Sequence, residues 1–204
     1  MIIMHHLRVG RAIFTTAFLE ELGVDYELRL YTRNDNFRAP AELKDAHPLG
    51  KSPVIEDKGM TIAESGAITA YLIDNYDTGG KFAPAKENHA EWMRFQQWLH
   101  YSEGSMSIPL LLNLLLRRED PTPPIFSGFA ARETKLHLSY LETTLAGNDY
   151  IMGSDFSGAD VGCGYVANAA RQLKLLDDYP MVKAYAKRIS ERPAFLQAFS
   201  KTGG

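Results

Sequence analysis

A chain of 204 residues has room for one large domain or two small ones, built around a real core. Its net charge of -3, with no basic face, argues against a nucleic-acid partner, and its single cysteine rules out an internal disulfide framework and fits a reducing compartment. Met1 to Met4 is too short for a signal-peptide core, and Ile108 to Leu116, interrupted by Pro109 and Asn113, is far shorter than a membrane span, so neither export nor a membrane partner is expected and the expected location is cytoplasmic.

The first predicted element is a largely buried strand, Ile2 to Leu7. It carries His5 and His6, but adjacent strand residues point to opposite faces, so the two cannot chelate one ion and structural roles are expected; no metal is called for. After Gly10 the pattern becomes helical, with Phe14, Ala17, Phe18 and Leu22 on the inner face and Gly23 placed as a C-cap; Thr15 and Thr16 read as packing residues. Val24, Tyr26, Leu28 and Leu30 alternate with polar residues, as in a half-buried strand. Residues 34–46 read as a loop with a short helix. Ser52 to Ile55 and Met60 to Ala63 are strand-like about an Asp57-Lys58-Gly59 turn, most simply an antiparallel hairpin. Ile68, Tyr71, Leu72 and Tyr76 then mark one face of an amphipathic helix that starts at Glu64-Ser65. The order is β-α-β followed by β-β-α.

Residues 77–88, DTGGKFAPAKEN, are rich in glycine, proline and charge and read as a linker. Beyond them only helical patterns occur. Residues 87–117 hold Trp92, Phe95 and Leu99 at helical spacing, with Gly104 and Pro109 expected to bend the helix midway. A second long helix is expected over 127–145 and a third from Ser157. Ser157-Gly158-Ala159-Asp160 has capping-box spacing, with Phe156 and Val161 placed as a hydrophobic staple, so Asp160 is read as a folding residue. Pro180 and Pro193 should open two short terminal helices. Cys163, in an apolar helical stretch without a CxxC partner, reads as a buried structural thiol.

The polar residues at the junctions of the hairpin suggest half of a small-ligand site. A helix N-terminus has unpaired N–H groups and partial positive charge, so Ser65 can hold a carboxylate while Glu64 attracts an ammonium; together they suit an α-amino acid head group. Pro53 lacks an N–H and can adopt the cis form, which would turn the strand edge so that Val54 offers its N–H and C=O to an extended peptide. Lys51 is a point charge placed for a second carboxylate. The combination describes glutathione. Singly, each residue has a plainer reading: Ser65 a helix cap, Pro53 an edge-strand proline, Lys51 a solvated charge.

HPLGKSPVIED followed by AESGAITAYLIDNY resembles the glutathione-binding half of the cytosolic glutathione transferases, and HHL with FLEELGVDYEL after it is similar to their fungal and bacterial members. The likeness spans the whole chain. It implies a thioredoxin-like α/β domain over 1–77, a linker over 78–85 and an all-α helical bundle over 86–204. It also implies that Val54, after a cis Pro53, pairs with the cysteinyl backbone, that Glu64 and Ser65 take the γ-glutamyl end, and that Lys51, helped by Ser52, takes the glycyl carboxylate. Glutathione would be the co-substrate and a small apolar electrophile the second one, met by a wall of Tyr101, Met106 and Tyr165. The family's symmetric dimers imply a homodimer, with Glu103 reaching toward the neighbour's glutathione.

One position departs from the family. Related enzymes place a serine, tyrosine or cysteine at the turn into the first helix; in the nearest pattern HHL is followed by Asn-Asn-Ser-Arg-Ser, where this chain has Arg8, Val9, Gly10, Arg11 and Ala12. The expected serine falls on Gly10. Thiolate activation then rests on the Gly10 N–H, the helix dipole and a cation, for which Arg11 is the first choice and Arg8 the second. Without the serine, three functions stay open: conjugation to an electrophile, glutathione-dependent disulfide or peroxide reduction, and non-catalytic glutathione binding.

Overall fold

The structure, a computed structural model, describes residues 1–203. They divide into two compact units, Met1–Lys81 together with the chain from Glu191 onward, and Phe82–Ser190.

The first unit is built on a four-stranded sheet in the order β2-β1-β3-β4, from β1 (Ile2–Leu7), β2 (Tyr26–Tyr31), β3 (Val54–Asp57) and β4 (Met60–Ala63). Parallel β1 and β2 are joined through α1 (Ala12–Leu22), which ends as expected on Gly23 at φ +65. Antiparallel β3 and β4 close on Lys58 and Gly59, both at positive φ, the backbone that a two-residue turn with the right twist requires. Helix α2 (Leu43–Ala46) is the short helix expected after β2, and α3 (Ser65–Tyr76) seats Ile68 and Leu72 in the core with Ile2, Met4 and Ile55. None of the β2 residues is fully buried, because β2 is an edge strand; its apolar alternation therefore yields only partial burial.

Two expectations change here. β3 begins at Val54 rather than Ser52, since Pro53 has no N–H to give a ladder. It also lies inside the sheet, paired with β1 on one side and β4 on the other, so the edge-strand reading of Pro53 does not hold.

The last helix, α9 (Pro193–Thr202), clusters with this unit rather than with the other helices. Its ring Phe195 meets Phe14 edge-on at 5.1 Å, Arg192 grips Glu21 through two contacts of 2.5 and 2.9 Å, and Lys201 reaches Glu20 at 2.5 Å. Covered by the sheet on one side and α9 on another, α1 is buried at every position from Ala12 to Leu19.

His5 and His6 point to opposite faces. His5 bonds Tyr31 and Glu56, while His6 Nδ1 lies 2.9 Å from Thr16 Oγ1. The Thr16 hydroxyl spends its proton on Ala12 O, so it accepts from His6, which fixes His6 as the neutral tautomer protonated at Nδ1. Its Nε2 is buried without a partner among the described residues. Burial, seconded by the charge of Arg8, lowers the His6 pKa to about 4.

The second unit is helical: α4 (His89–Tyr101), a π turn over Ser102–Met106, α5 (Ser107–Leu116), α6 (Pro124–Thr144), α7 (Ala159–Gln172) and α8 (Pro180–Ser190). Asn88 caps α4 by accepting from Glu91 N, and α6 starts one turn earlier than its apolar pattern because Pro124 can occupy N1. The bend expected between Gly104 and Pro109 takes the form of the π turn, where one extra residue is accommodated.

That turn packs on α7 at Gly162, where an added Cβ would stand 2.2 Å from Ser102 Oγ and 2.8 Å from its Cβ. Gly162→Ala should therefore destabilise the protein by about 1–3 kcal/mol, as overpacking does. Adding Ser102→Gly should recover most of the loss in urea denaturation; no recovery would sink the steric account.

The capping box takes an altered form. Asp160, fully buried, accepts from Ser157 N at 2.8 Å, Ser157 Oγ at 2.9 Å, Ile151 N at 2.9 Å and Tyr185 OH at 2.9 Å. Burial pushes its carboxyl above the ordinary range, and the four donors oppose that push. Phe156 meets the rings of Phe82 and Tyr150 edge-on. Cys163 is fully buried, which pushes its thiol well up and leaves it inert. No helix among the described residues is long and apolar enough to cross a membrane.

Candidate functional site

Three junctions of the first unit carry the residues singled out in the sequence: the β1–α1 turn, the start of β3, and the β4–α3 junction.

At the β1–α1 turn, Val9 sits at φ +58, an outlying backbone for a β-branched residue. Its carbonyl is held by Arg33, which donates from Nη2 at 2.9 Å and Nε at 3.2 Å, and from Nη1 to Phe37 O at 3.2 Å. The guanidinium also lies over the Phe37 ring at 4.9 Å. A Cβ built on Gly10 would stand 3.3 Å from Arg33 Nη2 and 3.7 Å from Leu7 O, while no atom of Arg8 comes within 4 Å of it. Arg8 has its Nε buried without a partner among the described residues, and Arg11 immediately precedes α1 without capping it through its side chain.

Arg33 escaped the sequence reading, since nothing in residues 32–38 resembles a motif. The signal was topological. With β1 and β2 parallel and Leu7 opposite Tyr31, residues two positions beyond each strand fall side by side, and these are Val9 and Arg33.

At the start of β3 the Ser52–Pro53 bond is cis. Val54 is fully buried and stands opposite His5 on β1 and Ala63 on β4. With neighbours along both sides from Val54 onward, β3 has no open edge along which an incoming backbone could add as an extra strand. The role expected of Ser52 is corrected: its hydroxyl donates to His5 O at 2.7 Å and accepts from Leu7 N at 3.0 Å, so it has no proton left for a carboxylate. It ties the loop to β1 instead. Lys51, next to it, is exposed and without an ion pair or hydrogen bond among the described residues.

At the β4–α3 junction Glu64 adopts φ +71, ψ +120, a backbone that costs a non-glycine residue about 1–3 kcal/mol. It turns the chain so that Ser65 becomes the first helical residue, and no side chain caps the helix. The first intrahelical bond runs from Ile68 N to Glu64 O, which leaves the N–H groups of the turn before it to whatever binds there. Neither the Ser65 hydroxyl nor the Glu64 carboxylate has a partner among the described residues. The cap reading of Ser65 therefore fails, and its hydroxyl is not committed. An exposed carboxylate and an uncapped helix N-terminus adjoin, as a zwitterionic head group requires.

In the second unit, Tyr101 is half-buried, hydrogen-bonded to His137 Nδ1 and edge-on to Trp98 and Tyr140, with its hydroxyl pushed up to about 12 chiefly by burial. Met106, in the π turn, is 1% exposed and offers no surface to a ligand, so its place in an apolar wall is corrected to core. Tyr165 on α7 is half-buried.

The model of the glutathione S-transferase N-terminal domain matches residues 2–74, and that of the glutathione S-transferase C-terminal domain matches 119–201. Glutathione S-transferase 3 of Schizosaccharomyces pombe is 35% identical over 95% of this chain and 85% of its own length. The disulfide-bond oxidoreductase YfcG of Escherichia coli is 30% identical over 91% of this chain and 88% of its own. A crystal structure of a glutathione S-transferase from Actinobacillus pleuropneumoniae superposes with a TM-score of 0.90 at 35% identity, over 100% of this chain and 94% of that one.

Proposed function

The chain belongs to the glutathione S-transferase family and is a glutathione transferase, and on that premise we propose that its first unit holds glutathione through Lys51, Val54, Glu64 and Ser65 for conjugation to small apolar electrophiles. The observation that carries this reading is the β4–α3 junction. A strained Glu64 carboxylate and the uncapped N-terminus of α3 adjoin, both without side-chain partners among the described residues, and this supports an ammonium site beside an anion site.

Glutathione supplies a thiol, ordinarily of pKa about 8.5, whose anion is the nucleophile. The Ser65 hydroxyl and the first N–H groups of α3 hold the γ-glutamyl carboxylate, Glu64 its ammonium, Val54 the cysteinyl backbone and Lys51 the glycyl carboxylate. The Gly10 N–H, the N-terminus of α1 and a nearby cation favour loss of the thiol proton. Tyr101 and Tyr165 are the aromatic residues offered to an apolar acceptor.

We read the protein as cytoplasmic, acting in the detoxification of such electrophiles, and as a homodimer. Exposed Ile108, Leu111 and Leu115 on α5 and Phe126 and Phe129 on α6 support self-association. A second reading, disulfide reduction by glutathione, is favoured by the likeness to YfcG together with Gly10, which has no hydroxyl to offer.

Calorimetric titration of glutathione tests the site. Lys51→Ala and Glu64→Gln should each weaken binding by about 10- to 100-fold, the range of one charge-assisted contact. Failure of the unaltered protein to bind would overturn the assignment. Turnover of an aryl halide against that of a glutathione mixed disulfide decides between conjugation and reduction, and sedimentation of the same sample at the mass of one chain would remove the dimer.

A further inference from the structure

We propose that Arg33, rather than Arg11 or Arg8, is the cation that lowers the pKa of the glutathione thiol. This rests on the proposed binding of glutathione and extends it to a residue on the loop after β2.

Gly10 stands where related chains carry an activating side chain, so whatever fills the space beside its Cα takes over that task. Beyond its chain neighbours Val9 and Arg11, the atom nearest to that space is Arg33 Nη2, 3.3 Å from the position a Cβ would take. A guanidinium is charged at every accessible pH, so it needs no activation of its own. Two bonds to Val9 O, one to Phe37 O and the Phe37 ring beneath it hold this one in place. The same contacts hold the outlying backbone of Val9, which sets the direction of the following Gly10 N–H. Arg33 thus provides a fixed positive charge beside the backbone donor, and the thiol loses its proton to solvent to leave a sulfur anion facing both.

Arg8 is placed differently. Its charge is felt by His6, beneath the turn, where it helps to hold that ring neutral. Arg11 stands immediately before α1 with its backbone already helical and makes no side-chain capping bond to the helix.

The test is the ultraviolet absorbance of the bound thiolate as a function of pH, with glutathione affinity measured alongside by calorimetry. Arg33→Gln is expected to raise the thiol pKa by about one unit, a tenfold loss of thiolate below that pKa, while affinity changes only a few-fold. Arg33→Lys, which keeps the charge and gives up the forked grip on Val9 O, should retain most of the depression. Arg11→Ala and Arg8→Ala should leave it in place. In the Arg33→Gln protein, Gly10→Ser gains the room that the guanidinium occupied, and its hydroxyl should bring the pKa back down.

An unchanged pKa in Arg33→Gln overturns the proposal, as does an equal rise in Arg33→Gln and Arg33→Lys, which would make the grip on Val9 and not the charge responsible. No recovery with Gly10→Ser also overturns it, because the sulfur would then lie elsewhere than beside Gly10. Absence of binding in the unaltered protein instead refutes the glutathione site as a whole, a result that calorimetry separates from the others.

Discussion

Asp160→Ala is expected to lower the stability of the protein by about 3–5 kcal/mol, because it strands four buried hydrogen-bond donors at once. The loss does not come from the carboxylate itself, whose burial is costly. It comes from what the carboxylate leaves behind: the N–H groups of Ile151 and Ser157 and the hydroxyls of Ser157 and Tyr185, all aimed at a space that alanine cannot fill. Each stranded donor costs about 1–3 kcal/mol before relaxation. Asp160 also ties the segment before α7 to α8, so the loss should spread through the helical unit rather than fray one helix end. Trp92 and Trp98, the two tryptophans, both lie on α4 of that unit, so urea denaturation followed by their fluorescence reports it directly. Asp160→Asn, which keeps the volume but points an NH2 at two of the donors, should fall between wild type and alanine. A cost below about 1 kcal/mol for the alanine variant would show that water satisfies these donors.

Acidification should destabilise the protein through His6. In the folded state its pKa is lowered to about 4, and in the unfolded chain it returns to about 6.5. Between those values the unfolded chain binds a proton that the native one refuses, so stability present above pH 6.5 is lost as pH falls towards 4. A shift of about 2.5 units corresponds to about 3 kcal/mol. The structural cause is double: Thr16 takes the Nδ1 proton, and the second proton would have to enter at Nε2, buried and without an acceptor, near the charge of Arg8. Carboxylates titrate over the lower part of the same range, so the quantity to measure is the difference in unfolding free energy between wild type and His6→Asn at pH 7 and at pH 4. Asparagine can still donate to Thr16 but does not titrate. A wild type that loses no more stability than the variant would refute the assignment.

The order of elements was legible because each announces itself locally. Gly23 ends α1, Lys58-Gly59 closes the hairpin, and the prolines at 180 and 193 open helices, all through restrictions on single backbone angles that a sequence displays. The polar residues of the β4–α3 junction were legible for the same reason, since Glu64, Ser65 and the helix start are adjacent in the chain. Ser52 was misread because its partners, His5 O and Leu7 N, are more than 40 residues away. Met106 was misread because helical spacing places a side chain on a face without saying what covers it.

By itself, then, the sequence determined the order of the elements and the family, each of which rests on interactions within a few residues or on motifs read in order. Tertiary structure alone decided which groups were still free to act. It spent the Ser52 proton, left Lys51 and Glu64 unpaired among the described residues, placed α9 against α1, and brought Arg33 beside Gly10 through the parallel register of β1 and β2. Donor capacity and charge are consumed by whatever lies within about 3–4 Å, and a chain folded into a sheet sets those distances between residues far apart in sequence.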